Sequence, residues 1–462
     1  MIIPIIILAL VLRIVLINQS FWLDEAIGAT VSQSSSYPQL ISEFLPGNFH
    51  PPLNHLLFKT WGEFWGYSEI SLRSLSLVAG LLTIYLVYLI CTNLAIPGSI
   101  KLGKTVFKTA DLAALLLAIN PLHIYYSQEA WHSSLSAFFA AFSIFSYIRL
   151  SHKPNISSTL LLGASFSASM YSYYPLVLLN LGILLHSSLS RHTFFPTLTA
   201  SSLALVSYIP WLKTLKLQLA TAQMAKNSLP LWWNVLGKTG PKSLILVWVK
   251  FLIGRISFYS RIGYLAFVTL ISVIPLISLF IAWVRKKEIS LIWFWLLVPL
   301  SLSAIAGLVA AGFSYFRLVF LLPAFIILIT CGLIRLGKFS LFLTLASSAT
   351  SILIFWFNPR FHRENWRDAV KFIEAEPLSK KIAVMINYSQ SAPYKYYSKK
   401  GVPLYSARDW DENPQERIFL IRYVQPIFDP EEKLKMAIES SGYLKIQEKD
   451  FNGVTVWEYI KK

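Results

Sequence analysis

Long apolar runs alternate with short charged or turn-forming connections along this chain, and that alternation constrains its fold more than any other feature. A helix needs about 20 mostly apolar residues to cross the hydrocarbon of a bilayer. About eleven runs approach that length, at 1–17, 69–92, 109–127, 133–150, 157–173, 175–189, 197–211, 263–284, 289–312, 317–336 and 338–357. Of the 462 residues 55% are hydrophobic and only 14% charged, where soluble domains carry about 25% charge. An ordinary soluble enzyme and a disordered chain are both excluded. The pattern predicts a polytopic α-helical membrane protein with about eleven transmembrane helices. The first run has no basic n-region and no small-residue cleavage pattern, so it is expected to stay as an uncleaved helix.

Charge divides the chain in two. Residues 1–357 hold 23 Lys or Arg against 8 acids, whereas 358–462 hold 18 against 15. The expected domains are therefore a transmembrane domain, 1–357, and a small water-facing domain, 358–462, of ordinary single-domain size. The tail opens with the breaker Asn358-Pro359, then shows a helical period at 364–373, strand-like runs at 381–386 and 418–424, a helix at 431–441 and strands near 443–448 and 454–460. That is a small α/β pattern, with no catalytic constellation in it, as expected of a lid or docking module. Cys91 and Cys331 both lie in apolar runs and offer neither a disulfide framework nor metal-ligand spacing. The net charge of +18 does not require nucleic acid, because basic residues at the ends of spans act as orientation signals.

With a cytoplasmic N-terminus, the short inner connections carry Lys101, Lys104, Lys108, Arg149, Lys153, Arg191, Arg285, Lys286, Lys287, Arg335 and Lys338. The short outer ones carry almost none, as the positive-inside rule requires. Two long outer segments result, 18–68 and 212–262, and the tail falls outside the cytoplasm. Tyr173-Tyr174-Pro175 marks either a turn between two short helices or a kink in one, and 243–258 reads as lying along the outer interface.

Carboxylates are expensive in a membrane domain, so the positions of the eight are informative. Asp24 and Glu25 form an adjacent pair at the outer end of the first run. Neighbouring carboxylates repel, which favours a raised pKa in one of them unless a cation or metal compensates, and a general base needs such tuning. Glu129 sits in the short outer turn between the third and fourth spans, after His123, Tyr125 and Tyr126. Such a turn is expected to bring Glu129 into the same outward cavity as Asp24; ordinary interface charges with an aromatic belt are the alternative. Glu43, Glu63 and Glu69 read as solvated charges, and Asp111 and Glu288 as cytoplasmic. His50 stands before Pro51-Pro52, a pair that fixes extended backbone, and 55–65 reads as an amphipathic interfacial helix. A lone histidine is more often structural than chemical; nearness to the acidic pair makes this one a binding candidate.

The 212–262 segment holds eight basic residues, Lys213, Lys216, Lys226, Lys238, Lys242, Lys250, Arg255 and Arg261, and no acid. An anionic lipid headgroup is the partner such a segment suits. Arg317, at the outer end of a span after Tyr315, adds a planar bidentate donor for phosphate oxygens. Acids on one wall and cations on the other describe a site for an uncharged nucleophile and a phosphate leaving group.

The run from Leu12-Arg13 through Phe21-Trp-Leu-Asp-Glu-Ala26, then His50-Pro-Pro-Leu53, Ser68-Glu-Ile-Ser-Leu-Arg73 with Gly80, and Asn120-Pro-Leu through Ser127-Gln-Glu-Ala130, resembles bacterial membrane glycosyltransferases of family 39. These are relatives of the dolichyl-phosphate-mannose protein mannosyltransferases and of the lipid A aminoarabinose transferase. The likeness covers 1 to about 190 and returns weakly at 315–323 and 365–368. It implies the GT-C fold, and inverting transfer of a sugar from a polyprenyl-phosphate carrier to a hydroxyl acceptor, whether lipid, glycan or protein, on the outer face of the plasma (inner) membrane. By position it makes Asp24 the base and Glu25 its support. Glu129 would bind the acceptor or, with Asp24, a divalent metal ion, and Arg317 with the basic segment (Lys238, Lys242) would meet the departing phosphate. His50, His123, Tyr126 and Tyr315 complete the expected substrate-binding set. Many relatives continue Gln-Glu-Ala with Arg, another residue and Tyr; here Trp131, His132 and Ser133 stand instead, and His132 becomes the candidate substitute.

A polytopic transporter or flippase of lipid-linked sugars is the competing class. It predicts internal repeats and interrupted spans in matching halves. The sequence shows no such duplication, and its acids sit at span ends. A non-catalytic scaffold would leave the acidic pair and basic segment without purpose.

Overall fold

The structure is a computed structural model that describes residues 1–284, 287, 289–375, 381–411 and 415–462. The expected inner-connection charges Arg285 and Lys286, and Glu288, lie outside the described residues. The chain divides into two compact units. The first comprises Met1–Ile17, Ser35–Gly66 and Ile70–Phe357; the second joins Asn18–Ser34 and Tyr67–Glu69 to Asn358–Lys462.

In the first unit a helix stands at each of the eleven predicted runs, as expected where only intrachain hydrogen bonds can satisfy the backbone. Among the described residues six are long and apolar enough to cross a membrane, Glu69–Asn93, His132–His152, Arg261–Val284, Ser290–Val309, Tyr315–Leu336 and Lys338–Phe357. Ile2–Ile14, Thr109–Ala118 and Leu176–Ser187 are apolar but shorter. The run 109–127 is not one helix. It breaks after Ala118 and restarts as Pro121–Ser127, because Pro121 has no N–H to continue the ladder and Asn120 caps the new start by accepting from the His123 amide at 3.0 Å. At 157–189 the kink alternative falls: Ile156–Ser172 and Leu176–Ser187 are separate helices with Tyr173–Pro175 as the turn.

The Pro pair after His50 does two jobs where the sequence suggested one. Pro51 is extended, with φ −69° and ψ 165°, whereas Pro52 opens the helix Pro52–Trp65. That helix buries Asn54, His55, Phe58, Lys59 and Gly62 on one face, the 3–4 spacing of an amphipathic helix, and exposes Phe64 and Trp65. The lysine-bearing connection at 99–108 is a two-stranded hairpin, β1 (Ser99–Leu102) and β2 (Thr105–Lys108), which the sequence pattern did not predict. Asp111 follows it and accepts from the Lys108 amide at 3.0 Å, a capping role. The 212–262 segment folds into helices Leu212–Ser228, Pro230–Val235 and Pro241–Ile253.

The second unit is built on a five-stranded sheet of β3 (Lys381–Met385), β4 (Leu404–Ser406), β5 (Arg417–Ile421), β6 (Tyr443–Asp450) and β7 (Thr455–Lys461), in the order β4-β3-β5-β7-β6. β3 runs parallel to β4 and β5, and β7 antiparallel to β5 and β6. Side chains alternate across the sheet. Ala383 and Met385 pack with Trp366, Ala369, Val370 and Ile373 of the helix Trp366–Ala375, while Ile382 and Val384 pack with Leu434 and Ile438 on the other face. Leu23, which begins the acidic helix Leu23–Ser34, packs against the first of these cores. The segment carrying Asp24 thus belongs to the same compact unit as the tail.

Candidate active site

Three clusters in the first unit gather most of the candidate residues. One surrounds Arg13, which is fully buried although it lies in an apolar helix. Its guanidinium donates to the carbonyls of Ala9 and Ala118 at 2.9 Å each and to Ser127 Oγ at 3.2 Å, and lies 2.7 Å from His123 Nδ1. Arginine has no acceptor, so His123 accepts at Nδ1 and carries its proton on Nε2. Gln128 donates to the carbonyls of Arg13, at 2.9 Å, and of Val15. Asn120 donates to the Phe251 carbonyl at 2.8 Å. His123, expected as a binding residue, is thus held by Arg13 in the packing that fixes the Pro121–Ser127 helix.

That helix and the turn after it present the second cluster. Arg255 lays its guanidinium 4.6 Å from the Tyr125 ring centre and hydrogen-bonds the hydroxyls of Tyr125 and Tyr315. The charges of Arg255 and Glu129 both act on Tyr126 and on Tyr315, so Tyr126, Glu129 and Tyr315 share one neighbourhood. Glu129 is 3% exposed and accepts from Ser133 Oγ at 3.5 Å. Arg255 follows Gly254, whose φ of +67° and approach to Pro121 leave no room for a side chain.

The third cluster brings together His50 and His132, which lie 82 residues apart in sequence. Their rings are 4.7 Å apart; His50 meets Trp131 edge-on at 5.1 Å and His132 stacks on Tyr173 at 4.5 Å. With Asn54, His55 and Phe58 they line a small cavity. Asn54 is fixed by donating to the Ser172 carbonyl at 2.7 Å. Burial holds the His50 imidazolium well below its ordinary range, with repulsion from His132, His55 and Arg317 adding to the effect. Burial alone lowers His55 from 6.5 to about 4. Arg317 is half-buried, and its backbone carbonyl accepts from Tyr173 Oη at 3.1 Å.

Lys238 and Lys242 are exposed. Lys238 is flanked by residues tied to the approach to Arg317: Gly237 accepts from the Gly312 amide at 2.7 Å, and the Thr239 amide donates to Gly307 at 2.9 Å. Gly237 has φ +84°, and a Cβ there would stand 2.8 Å from the Phe313 carbonyl oxygen, so this junction requires glycine.

The acidic pair lies in the second unit. Both carboxylates fall in the first turn of Leu23–Ser34, where the helix dipole favours negative charge. Glu25 is 1% exposed and accepts from the Trp22 amide at 3.3 Å, whereas Asp24 is half-buried. The Tyr423 hydroxyl is held above its ordinary range by burial, then by Glu364, to which it donates at 2.8 Å, and then by the charge of Asp24. Among the described residues no group of three or more His, Cys, Asp or Glu is placed to hold a metal ion.

Arg13, His55 and Tyr173 were not singled out as site residues from the sequence, Tyr125 was named only as a neighbour of Glu129, and Arg255 entered only as one of eight cations. A charged residue inside an apolar run, Arg13, was the signal available.

No family model and no curated protein sequence matches this chain. Solved structures do. ArnT from Cupriavidus metallidurans in the apo state superposes with a TM-score of 0.60 at 11% identity, over 99% of this chain and 97% of that one. The same protein bound to undecaprenyl phosphate gives 0.59 over the same shares, also at 11% identity. The Archaeoglobus fulgidus oligosaccharyltransferase, tethered with an acceptor peptide containing the NVT sequon, gives 0.54 at 12% identity over 99% and 73%. The chain has the GT-C fold, and its C-terminal sheet unit is included in the near full-length match to ArnT.

Proposed function

We propose that this protein is a membrane glycosyltransferase that moves a sugar from a polyprenyl-phosphate carrier to a hydroxyl acceptor on the outer face of the plasma membrane. The observation that carries this reading is the near full-length likeness to a protein solved with undecaprenyl phosphate bound. In the proposed reaction the acceptor oxygen attacks the anomeric carbon, Asp24 takes the hydroxyl proton, and the carbon–phosphate-oxygen bond breaks with inversion. Glu25, turned into its own helix start, supports the geometry. The leaving phosphate gains negative charge, and fixed cations stabilise that change more than the ground state. Arg255, backed by Tyr125 and Tyr315, is the best-organised donor for it; Arg317 and Lys238, on two segments joined by the Gly312–Gly237 backbone hydrogen bond, are assigned to assist. Tyr126 and Glu129 share the neighbourhood of Arg255 and are assigned to the acceptor, and the His50 and His132 side chains to the sugar's polar groups.

Mass spectrometry of envelope glycans and lipids from cells with and without the protein tests this. Loss of one sugar modification together with accumulation of the polyprenyl-phosphate sugar is expected. Unchanged modifications, with only the sidedness of the lipid-linked sugar altered, would favour a transporter instead.

A further inference from the structure

Residues 18–22, which lead into the acidic helix, form no regular structure of their own. Their order comes from side chains within the second unit. The Phe21 amide donates to Tyr397 Oη at 2.7 Å, and that hydroxyl donates to Glu69 Oε1 at 2.6 Å. The Arg367 guanidinium reaches the same oxygen at 2.6 Å and donates to the Asn18 carbonyl at 3.3 Å, while the Arg367 amide donates to Ser20 Oγ at 3.1 Å. Phe21 is fully buried and meets Tyr396 edge-on at 5.1 Å. The far end of the helix is held too: Tyr396 Oη donates to the Tyr67 carbonyl at 2.9 Å, and Tyr67 Oη to the Ser32 carbonyl at 3.1 Å.

Charge-assisted hydrogen bonds of this length are strong and directional, and Glu69 is only 8% exposed, so water competes poorly for its carboxylate, although the Arg367 side chain that reaches it is 42% exposed. Phe21 lies three residues before Asp24. A base displaced by about 1 Å loses on the order of 10²-fold in rate, so whatever fixes Phe21 governs how Asp24 performs. We propose that Tyr397, Glu69 and Arg367 form a positioning relay by which the C-terminal domain sets the aim of Asp24. This rests on the assignment of Asp24 as base. The domain then acts on the reaction through Phe21 and the helix that follows it.

The test compares amide exchange and transfer in the full-length protein. Tyr397→Phe removes the relay hydroxyl and keeps the ring. Exchange of a peptide spanning 18–26 should rise at least tenfold while β3 and β5 amides keep their protection, and the glycan product lost on deleting the protein should fall at least tenfold. Glu69→Gln retains an oxygen that accepts from both donors and should keep more than half of the product; Glu69→Ala should match Tyr397→Phe. Unchanged exchange at 18–26 overturns the proposal, as does raised exchange with undiminished product. Loss of protection in β3 and β5 also overturns it, by showing a merely structural role. An Asp24→Asn arm separates the two claims: product retained there removes the base assignment, and the exchange data alone then judge whether the relay holds the segment.

Discussion

Acidification should destabilise the histidine pocket, and His55 sets the size of the effect. Burial lowers His55 from 6.5 to about 4, so between those values the unfolded state binds a proton that the folded state refuses. Its folded pKa is depressed, and for a cation that means stability is complete above pH 6.5 and is lost as pH falls toward 4. Linkage gives about 2 kcal/mol lost from His55 alone between pH 7.5 and pH 5, since each unit of pKa difference is worth about 1.36 kcal/mol. His50 is shifted in the same direction and adds to the loss. Denaturation of the detergent-solubilised protein, followed by intrinsic fluorescence at the two pH values, reads the difference. His55→Gln should flatten the pH dependence by about the His55 share even if it lowers stability at pH 7.5. Stability that rises on acidification, or a slope unaltered in His55→Gln, would refute the argument.

Arg255→Gln removes the charge that faces Tyr126, Tyr315 and Glu129, and product formation should fall about 10²–10³-fold; Arg255→Lys, a point charge unable to hold both tyrosine hydroxyls in one plane, should fall between, as read by mass spectrometry of the product. Gly254→Ala places a Cβ 2.9 Å from Pro121 Cβ at a φ of +67°, and should cost about 1–3 kcal/mol, measured as a lowered denaturation midpoint.

Much of the fold is legible because the membrane imposes it. Apolar runs have helix as their only open-ended solution, so each of the eleven runs carries one, and the short strand-like apolar runs at 381–386 and 418–424 mark β3 and β5. What escapes is local. The hairpin at 99–108 is too short and too charged to show a strand period, and β4 has only three residues. Asn120-Pro121 ends one helix and starts another inside a single apolar run, where hydropathy sees no boundary. The candidate site follows the same division. His50 was legible from its place before the Pro pair and His132 only where the sequence departs from the family it resembles, but their pairing depends on how separate helices pack. Arg255 was hidden among eight cations because only Gly254 and the tyrosine pair distinguish its place, and the inclusion of 18–34 in the C-terminal unit rests on side-chain contacts of Phe21 and Leu23 that no linear spacing encodes.

The central claim is that Asp24 takes the acceptor proton in transfer from a lipid-linked sugar. Cells lacking the protein, complemented with the native chain or with Asp24→Asn at equal membrane abundance, provide the direct measurement through the mass of the modified acceptor and the level of polyprenyl-phosphate sugar. The account predicts that the native chain restores the modified acceptor, while Asp24→Asn leaves it unmodified and the donor accumulated. Restoration of the modified acceptor to native levels by Asp24→Asn would contradict it.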